Sequence, residues 1–159
     1  MRIRIPRGIS VLRDDVALIL KKLSGLYNEK RSLLTKMANR CRLQPSLLNA
    51  EEFSAINESI NENTHLMSLV DSLDFEISAA SDELLRITGM DKKTLDVFLS
   101  ENNDSETAAL RANKNECAEA LDTTFHLFNN FLTAAQIKAE EYLTDSQELE
   151  RIMRIKKLL

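Results

Sequence analysis

Two pairs of side chains in this sequence have the spacing found in metal-binding helices. Glu62 and His65 lie three residues apart and Asp122 and His126 lie four apart, so each pair would share one helix face. A carboxylate-bridged di-metal bundle uses two Glu-x-x-His pairs and one further Glu from each of two other helices. This sequence has one such pair, and its first helical segment offers only Glu29. We therefore predict exposed or half-buried helical histidines and no bound metal.

Other arrangements that support catalysis are also missing from the sequence. There is no Gly-rich phosphate loop, no nucleophile elbow and no local motif that organises Ser, His and Asp into a triad. Cys41 and Cys117 lack metal-ligand spacing, and isolated cysteines commonly behave as small buried apolar residues. We predict that the protein is not an enzyme and uses no cofactor.

The composition indicates which elements must position any site. The chain has 159 residues, of which 43% are hydrophobic, and only three are Gly and two are Pro. So few turn formers cannot supply the many tight turns of a β-sandwich or barrel. We predict an all-α fold of long antiparallel amphipathic helices, forming an elongated bundle or coiled coil.

Apolar residues recur at alternating steps of three and four, which is the spacing of a helix that buries one stripe. This pattern predicts three long helices over residues 10–43, 50–88 and 106–143, and a short one from Asp91 to Leu99. The corresponding domain organisation is a basic arm at 1–9, a helical bundle at 10–143 and a loosely attached amphipathic segment at 144–159.

Local signals predict where these helices begin and end. Asn49 can cap helix two with Glu52 as its capping-box partner, and Leu48 can form a hydrophobic staple with Phe53. Gly89 suits the left-handed residue that ends this helix. The stretch from Thr144 to Ser146 could cap a separate terminal helix.

The second and third long helices each have a predicted apolar face. The seam of helix two contains Asn63 and Asp74, and we favour a rotated seam in which Leu66, Leu69 and Leu73 take over the core. The predicted face of the third long helix is Leu110, Cys117, Leu121, Phe125, Phe128, Leu132, Ala135, Ala139 and Tyr142.

Charge is unevenly distributed along the chain. Residues 1–43 have a net charge of +8 and residues 44–110 a net charge of −11, so we expect these segments to pack side by side. The overall charge is −4 and the basic region lacks interleaved aromatic residues, so we expect no binding to nucleic acid. Charged residues at 13–15 interrupt any signal-peptide core, and no apolar run reaches about 20 residues. We expect a cytoplasmic protein outside the membrane.

The final segment combines large apolar residues with basic ones. We predict that it binds a protein partner, although packing at the end of the bundle, self-association or contact with an anionic membrane would use the same residues. The residues in question are Leu149, Ile152, Met153, Ile155, Leu158 and Leu159.

The order of these parts resembles that of the FlgN-type flagellar export chaperones. The first helix ends in residues 26–34, LYNEKRSLL, and the second opens with residues 47–58, LLNAEEFSAINE. The resemblance covers roughly residues 12–143, and the basic start of this chain departs from it. It implies a cytoplasmic chaperone that binds the disordered C-terminal helices of hook–filament junction proteins and delivers them to the export apparatus. It also implies that the C-terminal region binds the client.

Two other functions are consistent with the same sequence. A structural coiled-coil subunit would pair its seams permanently with other helices in an assembly. A metal-binding helical bundle would use the Glu62–His65 pair.

Overall fold

The computed structural model describes residues 14–42 and 53–158, which contain four α-helices. They are α1 (Asp14–Arg40), α2 (Phe53–Thr88), α3 (Lys92–Glu101) and α4 (Ser105–Leu158). Within these ranges there is no β-strand, so the predicted all-α fold with three long helices and a short one is confirmed. The predicted arm at 1–9 and the predicted cap of helix two at residues 48–52 lie outside the described residues.

The ends of the helices around α3 follow from their sequence. Gly89 ends α2 with a φ of 66°, and its N–H donates to the Leu85 carbonyl at 3.0 Å. Glycine adopts this left-handed conformation without a steric cost, which confirms the predicted stop. Asp91 then caps α3, because its carboxylate accepts a 2.7 Å hydrogen bond from the Thr94 N–H.

Helices α1 and α2 run antiparallel. Lys30 forms an ion pair with Asp74 at 2.6 Å, and Arg40, ten residues later, pairs with Glu62, twelve residues earlier in the chain. These contacts join the basic first helix to the acidic second one, as the charge distribution predicts. The short chain segment between the two helices is the reason for this direction.

Helix α4 runs parallel to α1 and therefore antiparallel to α2. The Asn113 side-chain amide donates to the Ser24 hydroxyl at 2.5 Å, and the Thr124 hydroxyl donates to the Leu34 carbonyl at 2.9 Å. Consecutive long helices are thus antiparallel, as predicted, and the first and last of the three point the same way.

The core is built around α1, which packs along both α2 and α4. Helices α2 and α4 approach each other closely at few points. At one end α3 covers the gap between them, because Leu95 and Phe98 join Leu84 of α2 and Leu110 of α4 in one apolar cluster. Further along the bundle, the structure shows no described helix in the position that α3 occupies at this end.

The predicted rotation of the α2 seam is only partly correct. Leu66 and Leu73 are buried, but Leu69 is 39% exposed and Asn63 is completely buried. The Asn63 amide donates to the Cys41 sulfur at 3.4 Å, which gives this polar side chain a partner inside the core. A buried polar residue at such a position can fix helix register at some cost in stability.

The predicted face of α4 is wrong at two residues. Leu121 and Phe125 are 42% and 64% exposed, whereas Thr124 and Phe131 are buried. The hydrogen bond from Thr124 to α1 explains the difference, because it turns Thr124 towards α1. Leu121 and Phe125 then lie beside the core and not inside it.

The predicted interruption between Thr144 and Ser146 is also wrong, because α4 is continuous to Leu158. The Thr144 hydroxyl donates back to the Glu140 carbonyl at 2.9 Å, which is the bond of a Thr inside a helix rather than of a cap. No Gly or Pro stands in this stretch to end the helix. Helix α4 therefore has 54 residues and is about 80 Å long at 1.5 Å per residue.

Candidate functional site

The end of α4 extends beyond the helices that pack against its first part. The last apolar cluster of the bundle contains Cys41 of α1, Ile56 of α2, and Phe131 and Ala135 of α4. More than 20 residues of α4 follow Ala135 before the helix ends at Leu158. We refer to residues 143–158 as the α4 tail.

Apolar side chains of the α4 tail are open to solvent. Ile152, Met153, Ile155 and Leu158 are 47%, 55%, 52% and 87% exposed. Four of the six residues that the sequence predicts as partner-binding are thus exposed, while Leu159 and the side chain of Leu149 lie outside the described structure. Ile152 and Ile155 are three residues apart and so share one side of the helix.

The same tail is positively charged. Its basic residues are all exposed, and they are Arg151, Arg154, Lys156 and Lys157. The whole tail, residues 143–158, has four basic and three acidic residues, and the positive charge is concentrated in residues 149–159, where Glu150 is the single acidic residue and the net charge is +3. The tail is therefore suited to a surface that is apolar in its centre and acidic at its edge.

A second apolar surface lies in the gap between α2 and α4, next to the part that α3 covers. We call it the α2–α4 groove, and its cavity has a volume of about 170 Å³. It is lined by Leu34, Met37, Met67, Val70, Asp71, Leu121, Thr124, Phe125, Phe128 and Asn129. Leu34 and Met37 belong to α1 and form its buried floor, while the other residues come from α2 and α4.

The sequence pattern does not predict this groove. It assigned Leu121 and Phe125 to the core because they fit the apolar spacing of α4, yet both are exposed at the edge of the groove. The signal that could have revealed it is the polar pair Asn113 and Thr124, eleven residues apart. Their hydrogen bonds to α1 fix which side of α4 faces the core.

Acidic residues stand in and beside the groove. Asp71 lines it on α2, and the exposed Asp122 lies one turn before Phe125 on α4. Within the described ranges neither carboxylate forms an ion pair, in contrast to Asp74, which is held by Lys30 at 2.6 Å. Helix α2 as a whole contains seven acidic residues and one basic residue.

The residues considered for metal chemistry lie on two different helices, α2 and α4. His65 and His126 are both exposed, and Glu62 pairs with Arg40 of α1. Within residues 14–42 and 53–158, no group of three or more His, Cys, Asp or Glu side chains could hold a metal ion.

The two cysteines are buried in separate apolar clusters. Burial raises the pKa of both thiols, and the hydrogen bond from Asn63 only partly opposes this effect at Cys41. A raised pKa keeps a thiol in its neutral form, which is a weak nucleophile. Cys41 and Cys117 therefore act as apolar packing residues.

Comparison with known proteins finds no match. None of the described helices is long and apolar enough to span a membrane. No protein-family model matches the chain, and neither does any curated protein or solved structure.

Proposed function

We propose that this protein is a cytoplasmic flagellar export chaperone that binds the C-terminal helices of hook–filament junction proteins through its α4 tail. The observation that carries the proposal is the exposure of Ile152, Met153, Ile155 and Leu158 on a helix that extends beyond its bundle. The resemblance of residues 12–143 to FlgN-type chaperones supports the choice of client.

The tail is suited to reversible binding of an amphipathic segment. Full burial of a large aliphatic side chain contributes about 1.5–3 kcal/mol, and these four residues are roughly half exposed or more, so each can contribute about 1–2 kcal/mol. Part of this gain is offset by the ordering of the client and by lost translational freedom. Moderate net affinity fits a chaperone, because its client must be released for export.

The bundle provides the rigid base for this tail. Helix α4 is held to α1 by the Asn113 and Thr124 hydrogen bonds and by burial of Phe131. A tail that continues such an anchored helix presents its apolar side chains with little loss of backbone freedom. A disordered client helix can then pack along it, as in other helix-recognition surfaces.

Calorimetric titration with the C-terminal segment of a hook–filament junction protein tests the proposal. The variant Ile152→Ser/Ile155→Ser loses two apolar contacts of about 1–2 kcal/mol each and should therefore bind about 30–700-fold more weakly. At a protein concentration low enough to exclude self-association, its melting temperature should stay close to that of the wild type, because both residues are about half exposed.

The matched control is Leu18→Ser/Phe75→Ser, which changes two exposed apolar residues, 68% and 78% accessible, on α1 and α2. This control should bind the client as the wild type does. Wild-type affinity in the tail variant, or an equal loss in the control, would show that the tail is not the client site. No binding by the wild-type protein would refute the choice of client.

A further inference from the structure

The α2–α4 groove is a space between two helices in which a further helix would fit. At one end of the gap between α2 and α4, α3 fills this position with Leu95 and Phe98. Beyond it the gap is lined by the side chains of Met67, Leu121 and Phe125, which remain partly exposed. A helix lying there would cover these residues and would continue the layer that α3 begins.

The chemistry of the groove defines the helix that fits it. The floor and walls are apolar, so the occupant needs large apolar side chains on one side. Asp71 lines the groove and the exposed Asp122 stands one turn from Phe125, neither has an ion-pair partner among the described residues, and α2 is strongly acidic. The occupant should therefore be basic beside its apolar residues.

The α4 tail of this same protein meets both requirements. It exposes Ile152, Met153 and Ile155, and basic residues at 151, 154, 156 and 157 stand beside them. The tail and the groove are thus complementary in both polarity and charge.

The tail cannot reach the groove of its own chain while α4 remains continuous. Phe125 and Met153 are 28 residues apart on one helix, which corresponds to about 42 Å at 1.5 Å per residue. We propose that the tail instead lies in the α2–α4 groove of a second copy, and that the second copy returns the same contact.

This exchange gives a closed dimer with twofold symmetry. In such a dimer, residue 125 of one copy faces residue 153 of the other and the reverse contact is identical, so the surface is self-complementary. The two α4 helices then run antiparallel and cross near residue 139, midway between these positions. Ala139 stands at this crossing, fourteen residues from both Phe125 and Met153, and its small side chain allows close approach of the helices. The dimer covers both apolar surfaces of each chain and does not depend on the proposed client.

Sedimentation equilibrium of the full chain with charge-reversed variants tests the dimer. The groove variant is Asp71→Lys/Asp122→Lys and the tail variant is Arg151→Glu/Arg154→Glu. The wild type should be a dimer, and each variant alone should dissociate about tenfold more readily or more, because like charges meet in both of its contacts.

An equimolar mixture of the two variants should associate again. In the mixed dimer, the wild-type tail of the groove variant meets the wild-type groove of the tail variant. At the other contact, an acidic tail meets a basic groove. Both contacts are then complementary, whereas neither variant has this arrangement with itself.

The matched control is Glu58→Lys/Glu76→Lys. These exposed residues lie eighteen positions apart on the side of α2 away from the groove. Their reversal should leave dimerisation unchanged. A monomeric wild type, or variants that remain monomeric when mixed, would overturn the proposal. Dissociation of the control dimer as strong as that of the groove variant would also overturn the proposal, because the effect would then come from a nonspecific change in the charge of α2.

Discussion

The rotation of α4 about its axis can be tested with two phenylalanines on that helix. Phe131 is 2% exposed and Phe125 is 64% exposed, although they are only six residues apart. Replacing a buried Phe with Ala typically costs about 3–5 kcal/mol, from lost burial and the cavity that remains. We expect Phe131→Ala to lower the free energy of unfolding by this amount.

The Phe125→Ala variant should lose less stability, because only about a third of the Phe125 side chain is buried in the wild-type protein. Full burial of a Phe is worth about 1.5–3 kcal/mol, so the expected loss is about 0.5–1 kcal/mol. The two variants should therefore differ by about 2–4 kcal/mol in the free energy of unfolding, although both remove the same atoms.

Urea unfolding followed by circular dichroism measures this difference. Both substitutions should be made in the Ile152→Ser/Ile155→Ser background, so that tail contacts with a second copy do not contribute. Equal losses at the two positions would refute the reasoning. Leu121 and Phe125 would then belong to the core, as the apolar spacing alone predicts, and the α2–α4 groove would be closed.

Two further predictions concern charge. Hydrogen bonds from Thr94 to the Asp91 carboxylate lower its pKa below the ordinary value of 3.8. Asp91 therefore stabilises the fold above that value, and this stability is lost as pH falls through the lowered pKa. Asp91→Asn keeps a capping side chain, so acid titration of unfolding should show a weaker loss in this variant than in the wild type; identical acid profiles would contradict the cap. The α1–α2 ion pairs Lys30–Asp74 and Arg40–Glu62 should each contribute about 0–1 kcal/mol. Raising NaCl towards 1 M, where the Debye length is about 3 Å, should slightly lower the melting temperature, and less so in Asp74→Asn; a clear rise would argue against these pairs.

Several parts of the fold follow from the sequence alone because they depend on local chemistry. Gly89 ends α2 since only glycine adopts its φ freely, and Asp91 caps α3 since its short carboxylate reaches the Thr94 N–H. The scarcity of Gly and Pro and the apolar periodicity predict the number of long helices. The antiparallel arrangement of α1 and α2 follows from their short connection and opposite charges.

The sequence also indicates one of the two candidate surfaces. The cluster of apolar and basic residues at 149–159 stands out because it follows the three predicted long helices and belongs to none of them. The predicted break before it is wrong: Thr144 resembles a cap in the sequence, but in the structure its hydroxyl donates back to the Glu140 carbonyl and the helix continues.

Only the tertiary structure decides the second surface. Apolar spacing gives α4 two adjacent stripes, one through Cys117 and Phe131 and another through Leu121 and Phe125, and periodicity alone cannot choose between them. The choice is made by hydrogen bonds from Asn113 and Thr124 to α1, which are contacts between residues about 90 positions apart in the chain. Because those partners meet only in the folded bundle, the α2–α4 groove is a property of the packing of α1, α2 and α4.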